Sequence, residues 1–172
     1  YGSVRKQEHA DKLSQKLGKN FQPLIFDVTN NQAILENVEI VKKNLKKGES
    51  LAGLINNAGI ALGGPVSMID TNVFRKQFDV NFFGLIDVTK AYLPLLGAYK
   101  NSPQQGKIIN ISSISGLRSN AFTAPYCASK FALEAFSDSI RKELMLYGVD
   151  VILIEPGPFK TDIWDKTPDP DN

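Results

Sequence analysis

Tyr126 and Lys130 stand four residues apart, and they are the side chains in this sequence best suited to moving a proton together. On a helix that spacing puts both on one face, close enough to interact. A free phenol has a pKa of about 10, so at neutral pH it is a sluggish acid or base unless a nearby positive charge favours the phenolate. An ammonium at Lys130 would supply that charge. A drop of roughly three units corresponds to about 4 kcal/mol of differential stabilisation, plausible in a partly desolvated cleft. The same spacing also occurs on solvated helix faces, so the pair needs support from elsewhere in the chain.

Two further groups provide it. Asn56-Asn57-Ala58-Gly59 follows the apolar run Leu51 to Ile55, and Ser112-Ser113 ends the run that starts at Lys107. The first is either a tight turn whose glycine takes a positive φ or a place where a cofactor approaches the backbone at the carboxyl end of a strand. The serines either cap the chain's exit from a strand or face a ligand there.

The elements that must position these groups alternate in type. Short runs rich in branched residues read as strands at Leu24 to Val28, Leu51 to Ile55, Lys107 to Ser112 and Val149 to Glu155. Between them apolar residues recur at helical spacing. Ala10, Leu13 and Leu17 mark a helix ending at Gly18, and Ile34, Val38, Val41 and Leu45 mark one stopping at Gly48. A long helix from Thr71 to about Tyr99 should break near Asn81 and Gly84 and bend at Pro94. Another runs from about Ala124 to Tyr147. This is the βαβ pattern of a doubly wound α/β fold.

In the order of its motifs the sequence resembles the classical short-chain dehydrogenases/reductases: Asn56-Asn57-Ala58-Gly59, Asn81, Ser113, Tyr126-x-x-x-Lys130 and Pro156-Gly157-x-x-x-Thr161. The stretch from Tyr126 through Ser139 is similar to the retinol and hydroxysteroid dehydrogenase branch. The resemblance implies a Rossmann-type fold with a largely parallel sheet, a bound NADP or NAD, and exchange between a secondary alcohol and its carbonyl, with a bulky apolar substrate. It implies a catalytic set of Asn81, Ser113, Tyr126 and Lys130. Ser113 would bond the substrate oxygen, and Lys130 would also hold the nicotinamide ribose. Asn81 would interrupt its helix so that a freed carbonyl binds a water. Asp27 and Val28 match positions near the adenine, Asn56, Ala58 and Gly59 line the cofactor, and Pro156, Gly157 and Thr161 match its nicotinamide side. Arg5 falls where a basic residue meets the 2′-phosphate of NADP, or else it is a solvated arginine opening a helix. No acidic residue near Ser3 or Val4 favours NAD instead, so the balance favours NADP.

One part of the family pattern is absent. No Thr-Gly-x-x-x-Gly-x-Gly turn, which lays backbone N–H groups against the pyrophosphate, occurs in residues 1–172. The expectation is therefore a partial single dinucleotide-binding and catalytic domain. A βαβ unit of about 30 residues would precede it and a C-terminal part would follow. By the same resemblance Tyr1 to Val4 is the tail of the second strand, and the first strand would lie between it and Leu51 to Ile55, so without it the sheet is expected to be split.

Composition excludes other classes. The 172 residues are 42% hydrophobic and 22% charged, and 20 basic against 18 acidic side chains leave +2 with no basic stripe, which argues against nucleic acid. No apolar run approaches the roughly 18 residues that span a bilayer. One histidine, His9, and one cysteine, Cys127, make no metal cluster and no internal disulfide, and the expected compartment is cytoplasmic. His9 reads as a surface residue and Cys127 as a small packed one. Leu117, Phe122, Phe159, Ile163 and Trp164 are candidates for an apolar substrate wall, with Phe159 to Asn172 as a lid. Helices around Phe82 to Leu95 and Ala128 to Leu146 are expected to pair two subunits in a homodimer or homotetramer. The competing functions are a catalytically silent dinucleotide-binding scaffold on the same fold and a sugar-nucleotide epimerase or dehydratase.

Overall fold

The computed structural model describes residues 1–159 and 163. Five parallel strands and five α-helices alternate: β1 (Gly2–Val4), α1 (Gln7–Leu17), β2 (Pro23–Ile25), α2 (Asn31–Asn44), β3 (Gly53–Asn56), α3 (Thr71–Phe78), α4 (Gly84–Tyr92), β4 (Lys107–Ile111), α5 (Ala124–Leu144) and β5 (Asp150–Ile154). The fold is the α/β arrangement expected from the periodicity. α1 stops at Gly18, whose φ of 68° is open to glycine and strained for other residues. α2 starts where the Asn30 side chain accepts from the Ala33 N–H, and it turns Ile34, Val38 and Val41 inward.

β2 is shorter than its apolar run. Phe26 still donates to the Val4 carbonyl, but the Asp27 carboxylate then accepts from both the N–H and the hydroxyl of Thr29, and the Asp27 carbonyl accepts from Asn30 N–H. Those local bonds compete with the ladder and turn the chain. Asp27 and Val28 consequently lie past the strand.

The strands form two separate parallel sheets, β1–β2 and β3–β4–β5, which is the split expected from the sequence. Between β1 and β3 lies a cavity of about 340 Å³, lined by Gly2, Ser3, Phe26, Val28, Asn56 and Ala58 among others. β3 is thus an edge strand. Its Ile55 faces this gap and is 62% exposed. Tyr92 also lines this cavity; its hydroxyl is the one buried side-chain polar atom without a hydrogen-bond partner among the described residues, and burial pushes its pKa up to about 12.

Two apolar clusters hold the layers. Leu24, Phe26, Ile34, Val38, Val41, Val88 and Tyr92 join α2 and α4 to β2, and Leu96, Ile108, Leu144, Val149 and Val151 fill the space around β4 and β5. Leu51 and Leu54 touch both clusters, so the region around β3 couples them. A buried polar chain crosses the larger sheet as well. The Asn56 amide donates to Thr89 Oγ1 on α4 and to Asn110 Oδ1 on β4, and Asn110 donates to Ser137 Oγ on α5. Each partner satisfies the next, which makes burial of these groups tolerable.

The long helix breaks where Asn81 and Gly84 suggested. Residues Asp79–Phe83 form a π-helical turn between α3 and α4, and Leu93–Leu96, containing Pro94, tightens to a 3₁₀ turn. Among the described residues no helix is long and apolar enough to cross a membrane, and no cluster of metal-ligating side chains occurs.

Candidate active site

Tyr126 occupies the first turn of α5, behind Pro125, a residue favoured there because its missing N–H would lack a helical partner anyway. Lys130 follows one turn later. Ser113 lies just past the end of β4 and opens the short turn Ile114–Gly116 by accepting from the Ser115 N–H. The structure brings these three together. A side-chain hydrogen bond joins Tyr126 and Ser113, and the Lys130 Nζ lies 5.7 Å from the centre of the Tyr126 ring.

The electrostatics differ from the expectation drawn from spacing. Burial raises the Tyr126 pKa; the hydrogen bond with Ser113 lowers it in part, and Cys127 raises it further. The phenol pKa therefore lies above its ordinary value and not below it, and the Lys130 Nζ, while within reach of the ring, donates to the Ile111 carbonyl at 2.8 Å. Lys130 is itself almost fully buried, and that desolvation pulls its pKa from 10.5 to about 8 against the raising influence of Glu134. At neutral pH the pair is a protonated phenol beside an ammonium.

Asn81 sits in the π-helical turn, as an interrupted helix requires, and its side chain has work of its own. Its Oδ1 accepts from Ile60 N–H at 2.9 Å, while its Nδ2 donates to the Ile60 carbonyl at 3.0 Å and to Ser129 Oγ at 3.3 Å. Ser129 Oγ in turn donates to the Tyr126 carbonyl. Gln77, fully buried one turn earlier, donates to the same Ile60 carbonyl and accepts from Leu62 N–H. The two amides act as a substitute strand for the chain leaving Asn57-Ala58-Gly59, and they tie it to the turn that carries Tyr126. Gln77 went unread in the sequence; its only signal was a second amide four residues before Asn81.

The remaining candidates divide by place. Val28, Asn56 and Ala58 line the cavity at the ends of the strands, although the Asn56 amide itself is committed inward to Thr89 and Asn110. Gly59 is exposed, and a Cβ there would stand 3.4 Å from Asn81 Oδ1. Arg5 directly follows β1, close enough that its charge acts on Asp27. Burial raises the Asp27 pKa, and the two bonds from Thr29 together with Arg5 more than reverse this. The Pro156 carbonyl accepts from Ile114 N–H, next to Ser113, and Gly157 is open to solvent. Thr161 and Trp164 lie outside the described residues. Of the apolar wall, Leu117, Phe122 and Phe159 are exposed and Ile163 is half-buried. His9 is on the surface, and Cys127 is buried against Thr123.

A nicotinamide dinucleotide fits this donor set at both ends. Lys130 has three N–H donors and uses one on Ile111, which leaves two for a ribose diol. Val28 and Ala58 lie just past the carboxyl ends of β2 and β3, where an adenosine would approach an open α/β sheet. No glycine-rich turn for the pyrophosphate occurs in residues 1–172.

Comparison with known proteins agrees. The profile of the family described as short chain dehydrogenase matches residues 2–172. An NADPH-dependent 3-dehydrocapnine reductase from Ornithobacterium rhinotracheale is 45% identical over 166 residues, covering 96% of this chain and 58% of that protein. Retinol dehydrogenase 16 from Homo sapiens is 37% identical over 161 residues, or 93% of this chain and 49% of its own length. The chain thus spans about half the length of such relatives. Among solved structures, a short-chain dehydrogenase from Streptomyces avermitilis superimposes with a TM-score of 0.81 at 29% identity, over 94% of this chain and 57% of that one. ElxO with NADP bound gives 0.80 at 26%, over 95% and 65%.

Proposed function

The chain belongs to the short-chain dehydrogenase/reductase family, and on that premise we propose that the protein carrying it is an NADPH-linked oxidoreductase interconverting a secondary alcohol and its carbonyl. The observation that supports this most is the meeting of Ser113, Tyr126 and Lys130 at the carboxyl end of β4, joined by the Ser113–Tyr126 hydrogen bond. When bound, the nicotinamide supplies or accepts the hydride. Ser113 holds the substrate oxygen by its hydroxyl. The buried, protonated Tyr126 gives that oxygen its proton in the reductive direction, and the Lys130 ammonium steadies the phenolate left behind. Lys130 also offers its two remaining donors to the ribose. Asn81 and Gln77 keep the Ile60–Leu62 segment fixed beside this group.

Arg5 favours a cofactor with a 2′-phosphate, and the reductase relative named for NADPH points the same way. A bulky apolar substrate is supported by exposed Leu117 and Phe122 between Ser113 and Tyr126, by Phe159, and by the retinol dehydrogenase relatives. Subunit pairing is supported by Phe83 and Phe131, both exposed, above the edge-to-face contacts of Phe82 with Phe83 and Phe136. The test is direct: the full-length protein is assayed for nicotinamide oxidation with apolar ketones, using NADPH and NADH in parallel. Turnover with NADPH is the expected result, and the absence of turnover with either cofactor across the panel overturns the proposal. Sedimentation of the same protein should show a dimer or tetramer; a monomer at micromolar concentration removes the pairing.

A further inference from the structure

Glu134 extends the series Tyr126, Lys130 by one more helical turn, and two successive side chains of that face grip two successive residues leaving β4. Lys130 Nζ donates to the Ile111 carbonyl, and the hydroxyl of Ser112, a buried residue, donates to Glu134 Oε1. The chain then passes Ser113 and returns to the same carboxylate. At Gly116 an added Cβ would stand 2.9 Å from Glu134 Cγ, 3.0 Å from Oε1 and 3.1 Å from the Lys130 carbonyl, so only glycine allows this approach. We propose that Glu134 is a positioning residue: by gripping Ser112 and packing on Gly116 it sets Ser113 against the helix that carries Tyr126 and Lys130.

The carboxylate also acts at a distance. Its charge raises the Lys130 pKa against the burial that lowers it, and so keeps the ammonium charged to higher pH. The other charges facing Glu134 are Asp138 on its own helix and Glu155 beyond β5. Burial raises the Glu134 pKa, the Ser112 bond lowers it, Glu155 and Asp138 raise it, and Lys130 lowers it.

This inference rests on the proposed oxidoreductase reading, and its test separates the two. In the full-length protein, lysine methylene NMR on isotope-labelled material titrates Lys130 without any turnover. Glu134→Gln, which keeps an acceptor for Ser112 but removes the charge, should lower the Lys130 pKa by roughly half a unit or more. Glu134→Ala and Ser112→Ala should each lower kcat roughly tenfold with KM for NADPH and carbonyl nearly unchanged, and the double variant should be little worse than either single one. An unchanged Lys130 titration in Glu134→Gln overturns the electrostatic role. Wild-type kcat in Ser112→Ala, or additive losses in the double variant, overturns the positioning role. Should Glu134→Ala fail to fold, Glu134→Gln and Ser112→Ala decide. Full turnover by Tyr126→Phe would sink the oxidoreductase mechanism instead, leaving this inference to the Lys130 titration.

Discussion

The Lys130 ammonium donates to the Ile111 carbonyl at 2.8 Å, so the cation that a phenol would draw upon is anchored to the end of a strand. Burial of that charge has a measurable cost. With a folded pKa of about 8 against an ordinary 10.5, the charge is held where burial opposes it. Between those values the unfolded chain binds a proton that the folded protein does not, so stability rises with pH there. The penalty is fully present below about 8 and lifts on the way to 10.5. Denaturant unfolding of wild type and Lys130→Met near pH 7 and again near pH 9.5 should show wild type gaining on the variant by about 1–2 kcal/mol. An equal difference at both pH values contradicts the buried charge.

Tyr126→Phe removes the proton and leaves the ring. In the full-length protein, if it is the proposed oxidoreductase, turnover should fall by roughly two to four orders of magnitude, while NADPH binding, followed by fluorescence, stays near wild type. Near-normal turnover takes the phenol out of the mechanism.

Gln77→Ala leaves the Leu62 N–H without its acceptor and the Ile60 carbonyl with one donor fewer, in a place closed to water. Unfolding free energy should drop by about 2–4 kcal/mol. A loss below half a kilocalorie would mean that the chain after Gly59 does not depend on the paired amides.

At Gly84 two effects oppose each other. Alanine is the better helix former by about 1 kcal/mol, but its Cβ would meet the Val28 carbonyl at 2.8 Å and Val28 Cγ2 at 2.9 Å. Overpacking of this kind costs about 1–3 kcal/mol, more than the propensity gain. Gly84→Ala should therefore lower the denaturation midpoint and weaken binding of the adenosine half of the cofactor, read by competition with an adenosine phosphate. A raised midpoint would show that Val28 moves aside freely.

What the sequence made legible was what depends on neighbours along the chain. The four-residue step from Tyr126 to Lys130 puts both on one face whatever surrounds the helix, and weak helix formers at Asn81 and Gly84 mark the break at Asp79–Phe83. What depends on partners across space was hidden. The apolar run to Val28 overreaches because Thr29 captures the Asp27 carboxylate. Nothing in periodicity tells that Lys130 donates to Ile111, or that Asn56 turns toward Thr89 and Asn110. Glu134 went unread, although it stands four residues past Lys130, because what it grips lies across space.

The π-helical turn at Asp79–Phe83 also fixes the rotational phase between two helices. A bond that spans five residues instead of four takes up one extra residue, and one residue is worth about 100° of rotation. With it, α3 aims Gln77 at Ile60 and Leu62 while α4 aims Leu85, Val88 and Tyr92 into the core. Were the turn to rewind as ordinary α-helix with its length unchanged, α3 would rotate by about that angle against α4, and the two helices could satisfy the core or the chain after Gly59, but not both. Loss of one residue from 79 to 83 would instead let the segment rewind with both faces kept in place, so what is constrained here is the winding together with the residue count, and not the chemical identity of the exposed residues.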